Sequence, residues 1–260
     1  MGWDFWFSRL CPFLFYLHRS NETFCSMITI PFYIQLSFIL TIIAGTVWFY
    51  FSLLESGDRL AIRRFGLVLL TWIILQTGLS VSGFYSADPS ALPPPFLLMV
   101  IPPLLLIIGV FVSPKGRAFV DRLSIWHLTL LHIVRIPVEI VLYWLFLEKT
   151  IPEVMTFAGQ NWDILAGITA PFVVYFWIDR QYRRGALIAW NILSLLLLLN
   201  IIVTAVLSAP LPFQQFGLDQ PNLAIFYFPI CFLPALIVPM VLFSHFAALR
   251  LLFLKKDPKK

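Results

Sequence analysis

Seven long apolar stretches constrain the fold of this chain more than any other feature. They cover residues 28–54, 65–85, 96–112, 123–147, 164–178, 186–208 and 223–249, with polar residues, glycines or prolines between them. A membrane-crossing helix needs about 17–25 mostly apolar residues, whereas strands of a membrane barrel have about 9–11 residues that alternate in polarity. We therefore predict an all-α polytopic integral membrane protein, a bundle of seven transmembrane helices.

The composition indicates the same class of protein. Apolar residues make up 60% of the chain and charged residues 12%, against about 45–50% and about 25% in ordinary soluble domains. These values exclude a soluble enzyme, a secreted disulfide scaffold and a disordered chain. Because the spans and their short loops fill residues 28–250, we expect one membrane domain there, followed by a basic tail at 251–260.

The loops between the spans alternate in charge. The basic loops, each with three arginines or lysines, are 55–64, 113–122 and 179–185; the loops with at most one are 86–95, 148–163 and 209–222. Since lysine and arginine stay on the cytoplasmic side, we predict an outside N-terminus and a cytoplasmic C-terminus. We expect the net charge of +5 to serve insertion in a bacterial inner (plasma) membrane, with the lipid bilayer as partner and no nucleic acid.

Residues 1–27 do not fit the pattern of a span. They mix aromatic and charged residues around a short apolar patch and lack the ordered zones of a signal peptide. Two interpretations stay open: an interfacial helix on the outer side, or a translation start that truly lies at Met27. Cys11 and Cys25 lie in this segment, and whether they pair is equally open.

The fourth span carries an unusual polar stripe. His132, Arg135 and Glu139 fall within about 60° of each other on a helix. An arginine in mid-span costs about 2.5–3.5 kcal/mol on the insertion scale, so Arg135 must face the bundle interior and find a partner. Glu139 is the nearest candidate, although an arginine that precedes its glutamate is the weaker order. The stripe predicts either a ligand-binding or proton-relay site, or a structural ion pair between helices.

Other spans offer polar side chains that the stripe could meet. Gln76, Asn191 and Asn200 are candidates for lining the same cavity, and as single residues they are more often hydrogen bonds between helices. His127 and His245 are predicted at similar depths near the cytoplasmic side, so a metal or a haem between them is an alternative. Apart from that haem, we predict no cofactor.

The last span contains three prolines, Pro229, Pro234 and Pro239, at intervals of five residues. Proline lacks a backbone N–H and interrupts the helical hydrogen-bond ladder, so we expect a broken helix there. Broken helices form ion and substrate sites in transporters, while isolated prolines are also common in membrane helices.

Two segments carry a resemblance. Residues 126–139, together with Gln214-Gln215 and the loop Asp219-Gln220-Pro221-Asn222, resemble uncharacterised bacterial multi-pass membrane proteins of unknown activity. The resemblance implies a multi-pass membrane protein and assigns no activity.

Three functions follow as hypotheses. The first is binding or transport of a small polar molecule or ion, with His132, Arg135 and Glu139 as ligand or proton carriers. The second is a membrane redox protein or enzyme with a His-ligated haem or metal. The third is a non-catalytic sensor or assembly subunit. Whether the chain is an enzyme, and its oligomeric state, stay open.

Overall fold

The structure, a computed structural model, describes residues 29–88 and 93–254. The N-terminal segment 1–27, the cysteines Cys11 and Cys25 and the tail beyond residue 254 lie outside the described residues. The helices are α1 (Phe32–Leu54), α2 (Arg59–Val81), α3 (Leu97–Val112), α4 (Pro114–Val120), α5 (Ile125–Leu130), α6 (Arg135–Leu147), α7 (Ile164–Val174), α8 (Arg184–Leu207) and α9 (Val238–Leu254). A 3-10 turn, Leu131–Val134, joins α5 to α6.

Five helical segments in the described part of the chain are long and apolar enough to cross a membrane. They are α1, α2, the rod Ile125–Leu147, α8 and the segment Leu233–Leu254; α3 and α4 make a sixth if this pair, bent by 91°, is one span. The predicted span at 164–178 is the exception. It consists of the 11 residues of α7 and six residues of π-helix, Tyr175–Arg180. At 1.5 Å per residue this is about 25 Å, short of a bilayer core of about 30 Å.

The last span is the centre of the bundle. Within it, 72% of the most apolar stretch is buried, against 11% for α2. Its helix begins at Leu233, ten residues later than residue 223 where the sequence predicts it, and its first turn is a π-helix, Leu233–Ile237. Prolines explain the irregularity, because Pro239 cannot donate to the carbonyl of Ala235. Trp72 of α2 donates its indole N–H to that carbonyl at 2.8 Å instead.

Contacts between loops place the predicted basic loops at one end of the bundle. Arg250 near the end of α9 forms a two-pronged hydrogen bond with Asp121, at 2.7 and 2.9 Å. His127 lies 2.9 Å from Glu55 at the same end. At the opposite end, the backbone N–H of Leu223 donates to the carbonyl of Thr150 at 3.0 Å. Two of the basic loops and the end of α9 therefore lie at one end of the bundle, and two of the loops with few cations lie at the other.

Helix α7 approaches the rod of α5 and α6 closely enough to require a glycine. A Cβ atom at Gly167 would lie 2.8 Å from a side-chain carbon of Ile136 and 3.2 Å from the carbonyl oxygen of His132. Small residues allow such backbone contacts between membrane helices. The start of α7 is thereby held against the middle of the rod, where the polar stripe lies.

Candidate functional site

The predicted polar stripe forms one side of a buried group of polar side chains. His132, Arg135 and Glu139 are 0%, 2% and 1% exposed, so all three face the interior. Four further side chains from other elements meet them. We use the term polar cluster for the set His132, Arg135, Glu139, Asn161, Asp163, Asn191 and His245, all of which are buried.

Arg135 is the most highly connected residue of the polar cluster. Its Nη1 donates to Asp163 Oδ1 at 2.8 Å and to the Ser194 carbonyl at 3.2 Å. Its Nη2 donates to His245 Nε2 at 2.7 Å. Three elements, the segment before α7, α8 and α9, are thus tied to α6 by one guanidinium. This matches the expectation that a mid-span arginine faces the interior.

The ion-pair partner of Arg135 differs from the one that the sequence favoured. That partner was Glu139, four residues further on the same helix, whereas the salt bridge in the structure is to Asp163. The physical reason is orientation, since an arginine four residues before a glutamate is badly placed to pair with it. Asp163 approaches from a separate element and is free of that restriction.

The hydrogen bonds of His245 define its protonation state. A guanidinium can only donate, so His245 Nε2 must accept from Arg135. The proton of the neutral ring is then on Nδ1, which donates to Asn191 Oδ1 at 3.0 Å. Asn191 in turn donates its amide N–H to the Leu187 carbonyl at 2.9 Å. His245 is therefore a neutral Nδ1–H tautomer with both ring nitrogens engaged.

Glu139 pairs with an amide group and not with a cation. Asn161 Nδ2 donates to Glu139 Oε1 at 2.5 Å and to the Met155 carbonyl at 3.1 Å. The Asn161 side-chain oxygen accepts from the backbone N–H of Asp163 at 3.1 Å. Asn161 thereby fixes the position of Asp163 and contacts Glu139 at the same time.

The segment 156–163 enters the bundle without forming a helix. It follows the outer half of α6: Phe157 stacks on Tyr143 at 4.9 Å, Asn161 reaches Glu139, and Asp163 reaches Arg135. Arg135 is 12 residues from the last residue of α6, Leu147, which places Asp163 about 18 Å along the helix from that end. Non-helical backbone at such depth is tolerated only inside protein or beside a water-filled cavity. We call residues 156–163 the re-entrant segment.

The last three residues of the re-entrant segment have a polar inner side and an apolar outer side. Asn161 and Asp163 are buried, whereas Trp162 between them is 57% exposed. The bond from the backbone N–H of Asp163 to the Asn161 side chain holds these two residues together on the inner side. The segment is thus a thin cover with its polar side on the polar cluster.

Four polar atoms of the stripe are buried and have no hydrogen-bond partner within the described residues. They are His132 Nδ1, His132 Nε2, Arg135 Nε and Glu139 Oε2. The His132 ring is held by stacking alone, with centroids 4.1 Å from His245 and 5.3 Å from Trp190. Leaving a buried polar group unpaired costs about 1–3 kcal/mol. Two donors and two acceptors are available for a bound group, because the neutral imidazole supplies one of each.

The charges of the polar cluster do not cancel. Arg135 and Asp163 form a salt bridge at 2.8 Å, and His245 is neutral. Glu139 has no cation of its own. Its carboxylate would leave one negative charge in a low-dielectric interior unless it takes up a proton or a cation.

Two of the predicted cavity residues lie away from the polar cluster. Asn200 is exposed and donates to the Gln160 carbonyl at 3.1 Å. Gln76 is buried on α2, where its Oε1 accepts a 2.7 Å hydrogen bond from Tyr85. Burial raises the pKa of Tyr85 to about 12. Of the three predicted cavity residues, only Asn191 belongs to the polar cluster.

The two histidines predicted to share a metal have different surroundings. His127 packs between Trp48 and Trp126 near Glu55 at the end of the basic loops. His245 uses both ring nitrogens for Arg135 and Asn191. Within residues 29–88 and 93–254, no group of three or more His, Cys, Asp or Glu side chains could hold a metal ion. The arrangement gives the haem alternative no support.

Sequence reasoning left Asn161 and Asp163 in the loop 148–163 and assigned neither residue to the polar stripe. One signal was available: the fifth apolar stretch, 164–178, is too short to cross a bilayer unless its start lies inside it. A polar Asn-Trp-Asp sequence directly before a short span is what a re-entrant connection requires.

Residues 93–253 match the model of a family described as a domain of unknown function (DUF8737). The match covers more than half of the chain and includes every residue of the polar cluster. No curated protein and no solved structure matches the chain.

Proposed function

Since the chain belongs to the DUF8737 family, a domain of unknown function, we propose from its own geometry that it binds or transports a small polar molecule or ion at the polar cluster. One observation carries the proposal: four buried polar atoms on one helix face have no partner among the described residues. Ionisable residues inside a membrane bundle are expensive, and by default they mark ligand pathways or proton relays.

The charges indicate which ligand the polar cluster would accept. Arg135 is already paired with Asp163, so an anion would have to displace that carboxylate. Glu139 keeps one free oxygen and no cation. We therefore propose a neutral or positively charged ligand, with Glu139 and His132 as the groups that exchange a proton when it binds. The close packing of the polar cluster limits the ligand to a few heavy atoms.

Access to the polar cluster would come from the outer side, past the re-entrant segment. That segment is the thinnest cover of the site, since Trp162 is exposed and both of its neighbours are buried. A displacement of Asn161 would uncover Glu139 directly, because Asn161 holds one of its carboxylate oxygens.

The membrane topology that we propose has seven crossings, with the N-terminus outside and the C-terminus in the cytoplasm of a bacterial inner membrane. The short helix α7 completes the seventh crossing together with the re-entrant segment. Two observations support it: the charge alternation of the loops, and the contacts that gather the basic loops at one end of the bundle.

Cysteine labelling tests this topology. The exposed residues Asp219 and Lys115 lie in loops of opposite predicted sides. With Cys11 and Cys25 replaced by serine, we expect a membrane-impermeant maleimide to label Asp219→Cys in intact spheroplasts. It should label Lys115→Cys only after permeabilisation. Cys231 is buried and gives little background. The reverse labelling pattern would refute the proposed orientation.

A thermal-shift screen of the purified protein tests the ligand site. The probes are alkali-metal and ammonium chlorides, small amides, polyols and zwitterionic amino acids. A ligand at one hundred times its Kd stabilises the folded state by about 2.7 kcal/mol, so we expect a clear rise in Tm with at least one class. Glu139→Gln should abolish that rise, because it removes the free carboxylate oxygen.

Gln76→Leu provides the control, since Gln76 is a membrane-helix amide on α2 that contacts neither the polar cluster nor the re-entrant segment. It should show the same rise in Tm with the probe as the unmodified chain. An equal response of Glu139→Gln and Gln76→Leu, or no response of the unmodified chain to any probe class, would refute a ligand site of this chemistry.

A further inference from the structure

A deep apolar groove lies between α1, α2, α3 and α9 and has no lining residue on α7. Its volume is about 540 Å³, and its lining includes Phe65, Trp72, Leu75, Leu106, Phe119 and Met240. The groove shares no residue with the polar cluster. It lies beside α2, the least buried of the five long spanning helices.

The groove has the depth of one bilayer leaflet. Along α2 it extends from Phe65 to Leu75, ten residues apart, which is about 15 Å of helix. The hydrocarbon core of a bilayer is about 30 Å thick, so the groove covers half of it. Trp72, whose indole N–H donates to the Ala235 carbonyl of the central helix, lines the deep half of the groove together with Leu75.

The other end of the groove reaches the membrane surface that carries the basic loops. Helix α4 turns by 91° from α3 and therefore lies across the end of the groove, with Phe119 among the lining residues. Its Lys115 is exposed, as are Arg63 and Arg64 immediately before Phe65. None of these three cations forms an ion pair with a carboxylate in the described part of the chain.

From the leaflet-deep apolar groove and the unpaired cations at its mouth, we propose that the groove binds an anionic phospholipid of the inner leaflet. One acyl chain occupies the groove as far as Trp72. The phosphate contacts Arg63, Arg64 and Lys115. Basic pockets at the cytoplasmic ends of membrane helices bind anionic head groups in this way. The inference rests on the proposed topology and is independent of the ligand of the polar cluster.

Native mass spectrometry of the full chain in mild detergent tests the proposal. The probes are phosphatidylglycerol and phosphatidylcholine with identical acyl chains. We expect retention of one phosphatidylglycerol molecule in preference to phosphatidylcholine. Each arginine near an anionic head group accounts for about a fivefold preference. The double variant R63Q/R64Q should lose most of that preference, whereas R180Q/R183Q, in another loop of the same side, should keep it.

A second pair of variants tests the acyl chain separately from the head group. Leu105 and Leu106 are both exposed, and of the two only Leu106 lines the groove. Leu106→Trp should prevent retention of either lipid, and Leu105→Trp should leave it unchanged. The proposal would be overturned by equal retention of both lipids or by lipid retention in Leu106→Trp. It would also be overturned if a neutral isoprenoid or a second copy of the chain occupied the groove in place of the phospholipid. Glu139→Gln should retain lipid normally, which separates this test from that of the polar cluster.

Discussion

Replacing Asp163 by asparagine is expected to lower the free energy of unfolding by about 3–5 kcal/mol. Asparagine keeps the shape and one acceptor oxygen of Asp163, so the change removes the charge and little else. Arg135, which is 2% exposed, would then lack the only carboxylate with which it forms a salt bridge among the described residues. Reversible unfolding in mixed micelles with increasing sodium dodecyl sulfate, followed by tryptophan fluorescence, measures the loss.

The same chain provides a control for this variant. Arg250 and Asp121 form an ion pair with two hydrogen bonds, at a partly exposed position near the end of the bundle. Partly solvated pairs contribute about 0–1 kcal/mol, so Asp121→Asn should change stability by no more than that. Equal losses for Asp163→Asn and Asp121→Asn would contradict the view that a buried ion pair holds the re-entrant segment in the bundle.

Replacing His132 by phenylalanine is expected to have opposite effects on stability and on ligand binding. Phenylalanine keeps a ring for stacking on His245 and Trp190, and it removes two buried nitrogens that have no partner among the described residues. The protein should become more stable by up to about 1–3 kcal/mol, the cost of an unpaired buried polar group. Affinity for the stabilising probe of the thermal-shift screen should fall about 10–100-fold, the equivalent of one or two lost hydrogen bonds.

His127→Phe is the matched control, because His127 is a partly exposed histidine of the same rod outside the polar cluster. It should leave probe affinity unchanged. Thermal unfolding and probe titration on the same samples give both quantities. A loss of stability in His132→Phe with unchanged probe affinity would show that His132 has a structural role only.

The local pattern of the sequence determined the helical fold, the segments that are apolar enough to cross a membrane, and the buried stripe on the rod. These properties depend on composition over about 20 residues and on a helical period of 3.6, which neighbouring residues alone decide. The burial of His132, Arg135 and Glu139 follows from the cost of exposing an arginine to lipid, whatever the other helices do.

Tertiary structure alone decided which groups the stripe meets. The ion-pair partner of Arg135 is Asp163, which is 28 residues away in the sequence. Its other contacts are the Ser194 carbonyl, 59 residues away, and His245, 110 residues away. Local spacing favoured Glu139 because residue spacing relates only residues of the same helix. The position of Asp163 depends on a backbone contact at Gly167. It also depends on non-helical backbone, which a helix bundle can bury away from lipid and a single span cannot. Pairing across the bundle is set by close packing between distant segments, and the periodicity of any one segment contains no information about it.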